Sequence, residues 1–207
     1  MRNSVQITLV ATIALWSFIP VQPYAQGSQW CPPAGTVTTA KNNNGAITTT
    51  HKGADPSDPA ICVAVSEGQG TSGLIYGKPI RRLYGWYDLT TNGHDAETER
   101  LMREGLGAIL SGRLASVNYK MMITAGSFAW SGNEAWQRAG EATLSIGGRP
   151  TKVIALRETF VGQGNSNYDG YTDTWYDPKL HMFVKGETHL HGGPVARAIE
   201  VTSVTLP

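Results

Sequence analysis

TVTTAKNNNGAITTTH, residues 36–51, consists of two threonine-rich runs hinged on Asn42, Asn43, Asn44 and Gly45. The β-branched threonine side chain suits a pleated strand. Asn44-Gly45 tolerates the positive φ that a tight reversal demands. The stretch therefore predicts an antiparallel hairpin, with strands over residues 36–40 and 46–51 around a turn at 42–45.

Outward from this hairpin the same pattern recurs. Asp55-Pro56-Ser57-Asp58-Pro59 lacks two backbone donors and is expected to form a surface loop before a third strand at 62–66. Further strands are expected at 74–75 and 80–89, the latter with Tyr84 and Trp86 on one face and Leu83, Gly85 and Tyr87 on the other. Beyond Asn92-Gly93 comes one helix, residues 95–111. Asp95 is its N-cap, Glu97 and Glu99 favour the positive end of its dipole, and Gly112 suits its stop. Met102, Leu106, Ile109 and Leu110 form its apolar stripe. Gly105 and Gly107 each weaken such a helix by about 1 kcal/mol relative to alanine, which points to close approach by a sheet.

The second half returns to strands at 117–124, 142–146, 151–161, 171–176, 182–188 and 196–206. They are separated by Gly147-Gly148, the polar stretch 162–170, Asp177-Pro178-Lys179 and Gly192-Gly193. Turn signals at such regular spacing predict a mainly β fold, an antiparallel meander forming a half-closed barrel or curved sheet with one amphipathic helix packed on it. The segment Thr172-Asp173-Thr174-Trp175-Tyr176-Asp177-Pro178-Lys179-Leu180 through Val184-Lys185 resembles a strand–turn–strand signature of uncharacterised exported bacterial β-sheet proteins. The resemblance covers under a fifth of the chain and implies a fold, carrying no activity and no functional residues.

The amino end reads as an address, with Arg2, an apolar run over 5–19 and a short stretch closing on Ala25. The run is shorter than the roughly 20 apolar residues that span a bilayer. Residues 1–25 are thus expected to be a cleaved signal peptide, leaving 26–207 as a single β-rich domain, periplasmic or secreted, without stable membrane insertion. Gln29 and Trp30 do not suit a lipid-modified Cys31. Cys31 and Cys62 are the only cysteines and are expected to form one bridge in an oxidising compartment. Of 17 basic and 16 acidic residues the leader holds only Arg2, so charge in the remainder balances, which argues against nucleic acid as a partner.

No motif commits the chain to catalysis, and no cofactor is expected. His189 and His191 lie two apart with His181 across a hairpin, a candidate metal set, with His51 and His94 in reserve. Asn165-x-Asn167-x-Asp169-Gly170 imitates half a calcium loop, but Tyr176 stands where the bidentate glutamate belongs. His191-Gly192-Gly193 has no Gly-x-Ser-x-Gly elbow to accompany it. Glu158, Asp173, Asp177 and Glu187 are the carboxylates that neighbouring strands could bring together. Aromatic rings are the strongest functional signal. Trp86, Trp130, Trp136, Trp175 and Tyr171 are expected to line a concave sheet, with Trp130 and Trp136 in an exposed connection among Ser131, Gly132, Asn133 and Gln137. The expected function is a non-enzymatic envelope or secreted module that binds an apolar or carbohydrate ligand or an envelope protein. The alternatives are a metal-dependent or hydrolytic enzyme using His181, His189 and His191, and a structural subunit that pairs through a free sheet edge.

Overall fold

The computed structural model describes residues 30–68, 77, 79–85, 87–89, 96–125, 128–163 and 169–207, with the side chains of 88, 121–125, 128 and 129 left aside. The leader, residues 74–75, Trp86, the Asn92-Gly93 turn, His94, Asp95, Asn165 and Asn167 lie outside these residues.

The opening hairpin forms as β1, Val37–Asn42, and β2, Gly45–Asp55. Asn42 Oδ1 accepts the Asn44 amide at 2.8 Å, closing the reversal. Asn43 Oδ1 accepts the Ala198 amide at 2.9 Å, which ties the turn to the last strand. The proline-rich stretch is tighter than expected. It is a turn of Pro56-Ser57, and β3, Asp58–Gly68, begins at once with Pro59 inside it. Asp55 Oδ1 makes this possible by accepting the Ser57 amide at 2.9 Å. The single strand expected over 80–89 is also corrected to a small hairpin of β4, Pro79–Leu83, and β5, Tyr87–Asp88. Tyr84 and Gly85 turn it with φ of 54° and 71°, so the expected alternation breaks there.

Helix α1, Ala96–Leu110, leads into β6, Ser116–Ala125, and β7, Phe128–Ile146. Then follow β8, Arg149–Gly162; β9, Gly170–Asp177; β10, Met182–Leu190; and β11, Val195–Thr205. All pair antiparallel in one eleven-stranded sheet of order β5-β4-β3-β2-β1-β11-β10-β9-β8-β7-β6. Only β1 with β11, Val37 opposite Thr205, joins distant parts of the chain; every other ladder connects sequence neighbours.

The sheet is open, with β5 and β6 at its edges and α1 connecting them, yet it curls until its two ends share a core. Ile61, Leu83 and Tyr87 from one end pack with Met102, Leu106 and Ile109 of α1 and with Tyr119, Trp136, Leu156 and Tyr176 from the other. The rings of Tyr87 and Trp136 meet edge to face at 6.4 Å. The Arg82 guanidinium lies 5.4 Å from the Phe183 ring centre, and Gly85 sits against the His181 carbonyl, where a Cβ would fall 2.0 Å from the oxygen. A second cluster of Ala40, Ile146, Val153, Met182, Val184 and Val201 joins the tip of the β7–β8 hairpin to β1, β10 and β11.

Cys31 and Cys62 form the expected disulfide, fixing the start of the described chain to β3. A loop of this length contributes about 3 kcal/mol in the chain-entropy account. The helix glycines have their reason too. A Cβ at Gly105 would lie 2.6 Å from Val117 Cγ2, and one at Gly107 2.9 Å from the Tyr84 hydroxyl. Arg103 fastens the helix outward, bonding Asp58 at the β2–β3 turn at 2.8 Å as well as Glu99. Gly105→Ala, which in a free helix would add about 1 kcal/mol, should here lower stability by about 1 kcal/mol through overpacking against a stiff valine. Urea unfolding checks the sign.

Candidate functional site

Strand register assembles a polar row across the curled face. Trp136 of β7 stands opposite Glu158 of β8, Glu158 opposite Thr172 of β9, Thr172 opposite Thr188 of β10, and Thr188 opposite Arg197 of β11. Directly opposed residues share a face. One step along, Thr174, Gly186 and Ile199 form a second row. Together with Tyr87 from the opposite edge of the sheet and Phe183, they line a groove of about 300 Å³. Gly186 keeps its floor open, since its lack of a side chain leaves space up to Ile199, whose Cγ2 lies 3.5 Å from where a Cβ would sit.

Beneath the groove lies a carboxyl pair. Glu134 is 2% exposed. Its Oε1 accepts the Tyr119 hydroxyl at 2.8 Å and the Trp136 indole N–H. Glu158, half-buried at the groove wall, shares a proton with Glu134 and stands opposite Thr172. The Thr172 and Thr188 hydroxyls bond each other at 3.2 Å, carrying the polar row on toward β11. Burial pushes Glu134 up to about 7, against the pull of its donors Trp136, Tyr119 and Glu158. Burial and the neighbouring Glu134 charge hold Glu158 well above the ordinary carboxyl range. One proton shared by two adjoining carboxyls is the state that low dielectric and like-charge repulsion favour.

The other sequence-derived candidates fall elsewhere. Trp130 and Trp136 are 3% and 1% exposed. The connection expected to expose them is the middle of β7, whose alternation turns Trp130, Gly132, Glu134 and Trp136 inward. Trp136 contributes to the groove, and Trp130 belongs to the core. Trp175 and Tyr171 alternate with Thr172 and Thr174 and so project from the opposite face. Tyr171 has the Arg157 guanidinium 4.5 Å from its ring centre and His189 stacked at 4.5 Å, from the strands on either side. Trp175 carries the Lys185 ammonium at 4.9 Å. Trp86 lies outside the described residues.

The histidines do not converge. His181 sits in the β9–β10 turn and His189 eight residues on, near the far end of β10, a separation of roughly 26 Å along the strand. His189 Nδ1 bonds the Gly193 carbonyl at 3.1 Å, and His191 adopts a left-handed turn conformation, φ 50°. Among the described residues no group of three His, Cys, Asp or Glu side chains is placed to hold a metal ion. His51 is buried beside the Thr38 hydroxyl at 3.4 Å, and burial with the Arg82 charge lowers it to about 4. Asp169 Oδ1 accepts the Gly162 amide at 2.6 Å. Of the four carboxylates the sequence proposed, Asp173 is held by Arg157 at 2.6 Å, Glu187 by Lys185 at 2.9 Å, and Asp177 caps its own turn through the Lys179 amide at 2.8 Å. Glu158 alone faces the groove. Its partner Glu134 escaped sequence reasoning; the signal that could have found it is the strict alternation Trp130-x-Gly132-x-Glu134-x-Trp136.

The architecture defines a class, open curled antiparallel sheets carrying one helix. Within that class the chain resembles exported bacterial β-sheet proteins. It is similar to the hypothetical lipoprotein YmcC from Escherichia coli, at 12% identity and TM-score 0.53, over 87% of this chain and 89% of that one. A protein from Bacteroides fragilis described as exported with a YmcC-like fold gives 10% identity and TM-score 0.44, over 85% of this chain and 98% of that one. One from Parabacteroides distasonis described as a lipoprotein gives 11% and 0.45, over 86% and 99%. No family model and no curated protein matches the chain.

The carboxyl pair has a signature in solution. Both folded values lie above the ordinary 4.5. The folded protein thus holds protons that the unfolded chain releases, and stability falls as pH rises from about 4.5 through 7 and beyond. His51, lowered from 6.5 to about 4, acts oppositely, losing stability as pH falls through that window. Between pH 6.5 and 9, above the histidines and below the raised tyrosines, the glutamates should dominate the slope. The melting temperature is expected to decline from pH 6.5 to 9, and Glu158→Gln to flatten that decline; an unchanged slope in the variant would refute the shared proton.

Proposed function

We propose that this chain is an exported, non-enzymatic binding module whose groove between β5 and strands β7–β11 takes a small organic ligand. The observation that carries the reading is the groove itself, apolar rings of Tyr87, Trp136 and Phe183 on its walls and converging hydroxyl and carboxyl groups on its floor. A concave site of mostly apolar lining with a few placed polar groups is the usual form of a small-molecule site. The volume stands at the lower end of such sites. The leader over 1–25 and the disulfide support a periplasmic or secreted destination, and the likeness in fold to a protein described as a lipoprotein is consistent with it.

A second reading draws on one observation. The outer edge of β6, ten residues long, has no neighbouring strand in the sheet among the described residues, and an envelope partner could add a strand there.

Two measurements test the leading reading. Protein recovered from the envelope or medium of an expressing bacterium should begin at Gln26; recovery only as the intact cytoplasmic chain would count against export. Gly186→Val, which fills the floor while suiting a strand, should weaken binding at least tenfold in fluorescence titrations with glucose, glucuronate and hexanoate without lowering the melting temperature. Failure of the wild-type protein to bind any of the three would sink the groove as a ligand site.

A further inference from the structure

We propose that the ligand of this groove is an acidic carbohydrate, its carboxylate paired with Arg197, its hydroxyls on Thr172, Thr174, Thr188 and Glu158, and its ring against Trp136 and Phe183. The inference rests on the groove being a ligand site and adds the chemistry of what enters it.

Arg197 stands at one end of the polar row and makes no ion pair or hydrogen bond within the described residues. Other strand arginines are engaged: Arg138 holds Glu141, Arg81 reaches Asp55 and, on the opposite face, Arg157 holds Asp173. A free guanidinium beside a groove presents the bidentate fork that suits a carboxylate. Next along the row come the Thr188 and Thr172 hydroxyls and then the Glu158 carboxyl, with Thr174 in the adjoining row, all within the same groove lining. An alkyl chain would desolvate the Arg197 guanidinium without giving it a partner, which is costly. A sugar acid supplies a carboxylate for it, hydroxyls for the threonine row and an apolar face for the rings.

The carboxyl pair then has a role in selectivity. Glu158 is raised well above the ordinary range, so it meets an anionic ligand as a neutral carboxyl, its proton engaged by Glu134, rather than as a repelling charge. The groups facing it are Glu134 and Trp136 of β7, Thr172 of β9 and Tyr87 of β5, with Arg197 farther along the row on β11. Of these only Arg197 is a cation. Ionisation of Glu158 would therefore place a negative charge beside the incoming carboxylate.

Calorimetric titration of the whole exported protein with glucuronate, glucose and hexanoate at pH 6.5 tests this. Glucuronate should bind at least tenfold more tightly than glucose or hexanoate, and Arg197→Met should remove that preference, a loss of about tenfold or more expected for a charged hydrogen bond. Glu158→Gln, which keeps a neutral group at that position, should retain glucuronate binding and resist its weakening between pH 6.5 and 9. Equal binding of glucose and glucuronate, or an Arg197→Met variant that keeps the preference, overturns the acidic-ligand inference while leaving the groove a binding site. Preference for hexanoate overturns the carbohydrate. Binding of none of the three removes both this inference and the reading it rests on.

Discussion

The edge-to-face contact of Tyr87 with Trp136, at 6.4 Å, is the point on which this architecture turns. An eleven-stranded antiparallel sheet has a strong twist, and a sheet of that width must curl, split or flatten. Here it curls without sealing, because β5 and β6 are joined through α1 instead of through backbone hydrogen bonds. Side-chain packing does what a closed ladder does in a barrel. The helix fills the gap between the edges, and its two glycines let Val117 and the Tyr84 hydroxyl come close enough for one core to serve both ends. The groove exists because that closure is incomplete: Tyr87 reaches over the strand face without covering it.

Local rules made much of this legible. The hairpin at Asn42–Gly45, the helix with its glycines, the meander and the disulfide follow from turn chemistry, periodicity and redox compartment, each a property of a few neighbouring residues. What escaped depends on distant contacts. Ser131, Gly132 and Asn133 read as a loop by composition, yet period two sends Ser131 and Gln137 to solvent and Gly132 and Glu134 inward. Trp136 is covered by Tyr87 of β5, some fifty residues earlier, and Trp130 joins the same core. The histidine grouping failed for a related reason, since a strand carries its two ends far apart however close they stand in sequence.

The candidate site was half visible. Glu158 stood among four carboxylates, and only the structure separates the one that faces the groove from three bound to Arg157, Lys185 and a turn. Glu134 was not among them, since glutamate is seldom buried unless paired. It is tolerated inside by three donors, Tyr119, Trp136 and Glu158. That arrangement concentrates one negative charge and one proton directly under the groove floor, so the electrostatic character of the site is built into the core and not painted on the surface.

The β1–β11 ladder joins Val37 to Thr205, and it lies at the middle of the sheet, not at an edge. Each half of the meander can assemble from near neighbours, but the two cannot merge until the final strand is available. Such long-range pairing slows folding. It also sets what each strand is worth to the whole: losing β5 or β6 would trim the sheet, whereas losing β11 would divide it in two.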